Sequence, residues 1–235
     1  MTTQSLAQAL LAAHRSGVPV APGSVGEQPA DMAGAYAVQE EVLAELGESR
    51  AWKVGPWVEG KAPACAPIPT TWIYGDGVEL PAPPIGGLEV EFALLPLGDP
   101  LDRSTTVEVA LAYELVASRL DTPKSWPEPS RFADFQSSAG IVLGVVRDMP
   151  ETDDKTIELT FESGSEPVIV PTRFDREALL KALRWMAEEA TRRGRPIRKG
   201  DVVITGARIG PITVPPGKAT ASCAGFSPIS VTFGG

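Results

Sequence analysis

The sequence predicts an α+β protein: a helical segment over about the first fifty residues, then a β-rich core that carries one long helix. Three observations lead there. Two runs with apolar residues at helical spacing lie before residue 50. Short, β-branched and apolar runs broken by Pro and Gly dominate from residue 51 onward. One amphipathic stripe, Ala178, Leu179, Ala182, Leu183, Trp185, Met186 and Ala190, interrupts them. The organisation expected is a helical segment at 1–50 and a β-rich core at 51–235, together one compact unit.

The first helix spans residues 4–15, with Leu6, Leu10 and Leu11 on one face and Ser16-Gly17 as its stop. A Pro/Gly-rich stretch from Val18 to Pro29 follows. The second helix starts near Asp31, runs through Tyr36, Val38, Val42, Leu43 and Leu46, and ends at Gly47, a residue suited to a left-handed cap. Strands are expected at 51–55, 87–95, 107–119, 140–146, 156–162, 167–171, 201–205 and 219–233, the last with an interruption near Gly225. Asp175 caps the long helix and Gly194 ends it.

Composition excludes several chemistries. The 235 residues include one histidine, two cysteines and no asparagine. His14 alone cannot supply a Ser-His-Asp triad or a histidine-rich zinc site, and reads as a surface or structural residue. Cys65 and Cys223 form neither a CxxC pair nor a disulfide framework. A net charge of -9 disfavours nucleic acid and anionic membrane as partners. No apolar run approaches the roughly 20 residues that span a bilayer. Met1 to Ser5 lacks the basic start of a signal peptide, so the expected location is the cytoplasm. Gly217-Lys218 suggests a phosphate loop, but Ile212 and Ala219 stand where glycine and Ser/Thr are required.

Gly86 to Leu95 is the most informative segment. On a strand, Glu89 and Glu91 share a face with Ala93 and Leu95, while Leu88, Val90, Phe92 and Leu94 take the other. Both faces are apolar enough for a buried strand, where two carboxylates repel unless a cation compensates. A hard divalent ion, Mg²⁺ or Mn²⁺, is such a cation; an edge strand with its glutamates in water is the alternative. Glu114 adds a third carboxylate if 107–120 is a strand, beside Ala112 and Val116. A helical reading of that segment stays open. Lys53, inside the apolar run Ala51-Trp52-Lys53-Val54, reads either as a snorkelling surface lysine or as a partly desolvated group for proton transfer or carboxylate binding.

Taken in order, these segments resemble a known family. Ala35-Tyr36-Ala37-Val38-Gln39, Trp52-Lys53-Val54-Gly55, Glu89-Val90-Glu91-Phe92-Ala93, Glu114 to Arg119, Ala133-Asp134-Phe135 and Gly200 to Gly206 occur in the order of the 2-keto-4-pentenoate hydratase / 4-oxalocrotonate decarboxylase family, within the fumarylacetoacetate hydrolase superfamily. The resemblance implies a mixed β-roll core, a homo-oligomer and a divalent metal, Mg²⁺ or Mn²⁺, held by Glu89, Glu91 and Glu114. It places Lys53 as the catalytic, substrate-orienting lysine, and Thr205 and Gly206 beside the substrate. The activity implied is that of a metal-dependent lyase (a hydro-lyase) on a small 2-oxo or 2-hydroxydienoic acid, with hydration of a 2-hydroxypenta-2,4-dienoate-like substrate expected first. Alternatives are decarboxylation or tautomerisation of a 2-oxo dicarboxylate, or a non-catalytic subunit that keeps the fold.

The chain departs from the family at three places. A His/Glu pair for activating water is missing, which disfavours hydrolysis. The P-D-x-G-like acid is replaced by Ile68-Pro69-Thr70-Thr71, with Asp76 just beyond. The A-D-N segment reads Ala133-Asp134-Phe135.

Overall fold

A computed structural model describes residues 4–55 and 63–235. Residues 1–3, part of the segment read for a leader, lie outside the described set. Helix α1 is Leu6–Ser16, capped by Ser5, whose side chain accepts from the Gln8 N–H, and closed by Gly17 at φ 70°. Helix α2 is Met32–Leu46, with the Asp31 carboxylate accepting from the Gly34 N–H. Helix α3, Glu128–Ala133, had no periodic signal, being under two turns long. Helix α4, Arg176–Arg192, carries the Asp175 cap expected of it.

Among the described residues there are fourteen strands, in chain order β1 Ser49–Val54, β2 Cys65–Pro69, β3 Ile73–Gly75, β4 Val78–Leu80, β5 Gly87–Pro96, β6 Val107–Val116, β7 Ser138–Leu143, β8 Arg147–Asp148, β9 Asp153–Phe161, β10 Val168–Phe174, β11 Val202–Ile204, β12 Ile209–Ile212, β13 Gly217–Cys223 and β14 Ile229–Phe233. Segment 107–120 is therefore a strand, ending at Val116 rather than 119. The expected run 219–233 is two antiparallel strands joined through Gly225 at φ 85°. Strands β2, β3, β4, β8 and β12 were not expected; all are short, and none shows a sustained two-residue alternation.

Nine strands form one mixed sheet with the path β2-β1-β11-β5-β6-β7-β3, to which β12 adds at β5 and β8 at β6. The other five form a second sheet, β10-β9-β13-β14-β4. Alternation along β5 and β6 sorts the core into two parts. Leu88, Val90, Phe92 and Leu94, with Val109, Leu111 and Tyr113, pack toward the second sheet and α4. Ala93, Leu95, Ala110 and Ala112 take the opposite side, under α1, α2, Trp72 and Phe135. Leu6, Leu10, Val42 and Leu43 are each 2% exposed or less, so the N-terminal helices share a core with the large sheet. The glutamates of β5 lie on that helix-covered side.

Candidate metal centre

Register decides the geometry. Strands β5 and β6 pair antiparallel with Glu89 directly opposite Glu114 and Glu91 opposite Ala112. Like charges directly across a ladder destabilise it. Here one ligand atom from each of Glu89, Glu91 and Glu114 lies within 4.8 Å of the others. Glu91 and Glu114 are fully buried.

Strand β1 brings the compensating charge. It joins the sheet through β11, which pairs Lys53 with Ile204 on one side and Ala93 with Ile204 on the other. The Lys53 Nζ stands 2.8 Å from both Glu114 oxygens, donates to Oε1, and reaches the Gln136 carbonyl at 3.4 Å. Burial pulls the lysine pKa down, but Glu114, then Glu91 and Glu89, outweigh it and leave it above the ordinary lysine value. Lys53 is thus an ammonium and a buried partner of the carboxylates rather than a snorkelling surface group.

One lysine cannot neutralise three carboxylates. Burial, and then the charge and hydrogen bond of Glu114, lift Glu89 to about 7. Burial and Glu114 raise Glu91 well above the ordinary glutamate value, against the opposing pull of Lys53. Glu91 Oε2 accepts the Gly206 N–H at 2.6 Å, whereas Glu91 Oε1 and Glu114 Oε2 are buried with no hydrogen-bond partner. Glu91 Oε1, with no partner, and Glu114 Oε2, which the Lys53 ammonium approaches at 2.8 Å without a hydrogen bond, stand beside a third carboxylate as a donor set that a hard divalent cation fits.

A cavity of about 350 Å³ opens beside these groups, lined among others by Lys53, Glu89, Gln136, Thr205, Gly206 and Arg208. The Thr205 hydroxyl donates to the Phe92 carbonyl at 2.9 Å, and the Gly206 N–H is the one bound to Glu91. Both residues stand at the cavity as expected, with these donors turned inward to hold β5. The half-buried Arg208 donates to the Gly206 carbonyl at 2.5 Å and fastens the same loop. Gln136 and Arg208 were missed by the sequence reading. Gln136 follows the departure at Phe135 by one residue, which was the available signal; Arg208 carried none.

The other candidates lie elsewhere. His14 is exposed on α1, its ring 5.1 Å from Trp72. Thr70 and Thr71 are exposed, and Asp76 accepts from the Ser230 N–H at 2.7 Å. Asp134 is buried in an ion pair with Arg119, and its Oδ2 also accepts from the Ser118 hydroxyl at 2.7 Å. Cys65 and Cys223 are free and buried.

Fold and site together define an α+β protein with a buried acidic centre of which Glu89 reaches a cavity. Among solved structures, 4-oxalocrotonate decarboxylase from Pseudomonas putida G7, complexed with magnesium and adipate, matches with TM-score 0.71 at 19% identity, covering 97% of this chain and 95% of that one. The same enzyme complexed with calcium and acetate matches with TM-score 0.69 at 19% identity over the same shares. Fumarylpyruvate hydrolase from Pseudomonas aeruginosa, in complex with Mn²⁺ and pyruvate, matches with TM-score 0.52 at 14% identity, covering 78% of this chain and 88% of that one. No protein-family model matches the chain, and no curated protein does. At these identities the likeness establishes the fold, which is the one the sequence resemblance implied. No helix among the described residues is long and apolar enough to cross a membrane.

Proposed function

We propose that this chain is a divalent-metal-dependent lyase acting on a small 2-oxo or 2-hydroxydienoic acid. One observation carries the reading: three carboxylates cluster with Glu91 Oε1 buried and unpartnered, and Glu89 of that cluster lines a cavity. Glu89, Glu91 and Glu114 would hold Mg²⁺ or Mn²⁺. A cation there would supply positive charge opposite the oxygen on which an enolate's negative charge develops. The magnesium, calcium and manganese named with the solved relatives support that assignment.

Lys53 is the proton-carrying group. Its ammonium has three N–H donors; one serves Glu114 and one reaches Gln136, leaving the third for a substrate carboxylate or for protonating an enolate carbon. Besides Lys53 and Glu89, the polar side chains that line the cavity are Gln136, Thr205 and Arg208, none of them a carboxylic acid or an imidazole. One donor suffices for decarboxylation, in which the bond to the departing CO₂ breaks, its electron pair enters the 2-oxo system and one carbon is then protonated, and for tautomerisation of a dienol, whose O–H proton leaves to solvent as one carbon is protonated. Hydration also needs a group to activate the added water, and the segment where that acid was sought turns away. This favours decarboxylation or tautomerisation of a 2-oxo dicarboxylate, with hydration of a 2-hydroxypenta-2,4-dienoate-like acid as the second reading. Adipate, named with the first relative above, is a dicarboxylate as well.

Thermal unfolding after chelation tests the centre, with Mg²⁺ alone, oxalate alone and both together. Oxalate imitates a chelating enolate, and a ligand bound only by the folded state raises the midpoint. The expected result is a shift with both that exceeds the sum of each alone. No shift at millimolar metal would leave the glutamates structural and the chain a non-catalytic subunit. Release of CO₂ set against loss of dienol absorbance then separates the two reactions.

A further inference from the structure

Phe135, Gln136 and Ser137 take left-handed backbone conformations in succession, at φ 49°, 52° and 62°. None is glycine, and each costs roughly 1–2 kcal/mol relative to the right-handed region. Such a run persists only where its surroundings impose it. Here they do on both sides. Asp134 is clamped by Arg119 and Ser118, Phe135 is buried edge-on to Trp72 with ring centroids 5.8 Å apart, and Ser137 leads into β7.

The held turn does two things at the cavity. Its Gln136 carbonyl receives Lys53, and its Gln136 side chain enters the lining between Gly55 and the lysine. A Cβ placed on Gly55 would lie 3.3 Å from the Gln136 Oε1, so the carboxamide lies against bare backbone. Its Nε2 is buried and has no partner. A buried amide nitrogen without an acceptor is costly, and sheltering it with a strained turn compounds the cost. That pairing points to an acceptor that arrives with a ligand.

Resting on the metal-centre reading above, we propose that Gln136 is the specificity-determining residue of this cavity, its Nε2 donating to a carboxylate oxygen at the end of a 2-oxo dicarboxylate remote from the glutamates. A 2-oxo acid held at its C1 end by the centre and Lys53 presents its other end to the cavity wall. The carboxamide offers two N–H donors and no negative charge there. A methyl-ended acid of equal length would leave Nε2 unpaired, and discrimination by an unpaired buried polar group is large.

The test measures Kd by calorimetry in the presence of Mg²⁺ for pyruvate, 2-oxohexanoate and 2-oxohexanedioate. The wild-type protein is expected to bind 2-oxohexanedioate about tenfold tighter than 2-oxohexanoate, as one hydrogen bond to a charged group implies. Gln136→Leu should erase that preference, the dicarboxylate losing far more affinity than pyruvate. Gln136→Gly should do the same, and because glycine adopts this φ freely it separates loss of the carboxamide from backbone strain, with a wild-type-like thermal unfolding curve checking the fold. Equal binding of the two six-carbon acids by wild type overturns the proposal. So does a variant that weakens pyruvate as much as the dicarboxylate, since that marks Gln136 as a structural support for Lys53. If none of the three acids binds the wild-type protein with Mg²⁺ present, the metal-centre reading itself fails, a result distinct from lost discrimination.

Discussion

Glu91 lies wholly out of water beside two other carboxylates and keeps one oxygen without a partner. Glu91→Gln removes the charge and preserves the shape, and its new N–H₂ faces acceptors on Glu89 and Glu114. The metal-free variant should therefore be more stable by roughly 1 kcal/mol, read as about 2–4 °C in Tm, while its Mg²⁺-induced shift and turnover vanish. An undiminished Mg²⁺ shift would remove Glu91 from the ligand set. Lys53→Met should act in the opposite direction. It strips the buried carboxylates of their counter-charge, and loss of about 3 kcal/mol in the metal-free protein, partly recovered by Mg²⁺, is the expected outcome of a urea titration. Glu89 makes the balance depend on pH. Its folded value near 7 exceeds the ordinary glutamate value of the unfolded chain, so the folded state retains a proton the unfolded state has released. The Glu89 contribution to stability without metal thus falls as pH rises from about 4.5 to about 7 and is lost above, and the raised Glu91 acts in the same direction. Mg²⁺ requires the deprotonated form, so its Tm increment should grow between about pH 6 and 8. The three glutamates were legible in the sequence because a strand's alternation is rigid. Lys53 was not separable there from a snorkelling lysine, since its partners come from residues 61 and 83 positions away.

Strands β5 and β6, the two long helices of the N-terminal segment and α4 were legible for one reason: each is long enough for its period to repeat. The short strands gave no such repeat. Strand β12 is held by contact, not by propensity. Gly210, at φ 104°, brings its backbone so close to β5 that an added Cβ would lie 2.4 Å from the Leu88 carbonyl oxygen and 3.1 Å from the Glu89 Cγ. Gly210→Ala should therefore cost about 2–4 kcal/mol and weaken Mg²⁺ binding together with stability, which a paired Tm and metal titration would read. A variant with wild-type metal affinity would show that β12 does not position Glu89. The turn at Phe135 to Ser137 was illegible for the complementary reason. Left-handed residues announce themselves as Gly, Asn or Asp, and Phe-Gln-Ser carries none of these signals.

Across the whole molecule, the site draws on four neighbouring strands whose chain order is scattered. Lys53 comes from β1 and the glutamates from β5 and β6, yet β1 and β5 share no ladder with each other. Between them lies β11, three residues long and more than a hundred positions further along the chain than β5. During synthesis β5 and β6, which set Glu89 opposite Glu114, are complete before the strand that seats Lys53 against them has been made. At ordinary elongation rates that interval is about 5–20 s. Over those seconds the emerging polypeptide carries these acids with neither their lysine nor their Gly206 amide in place. Under the proposed metal assignment, the complete donor set with its lysine exists only once β11 has joined the large sheet between β1 and β5.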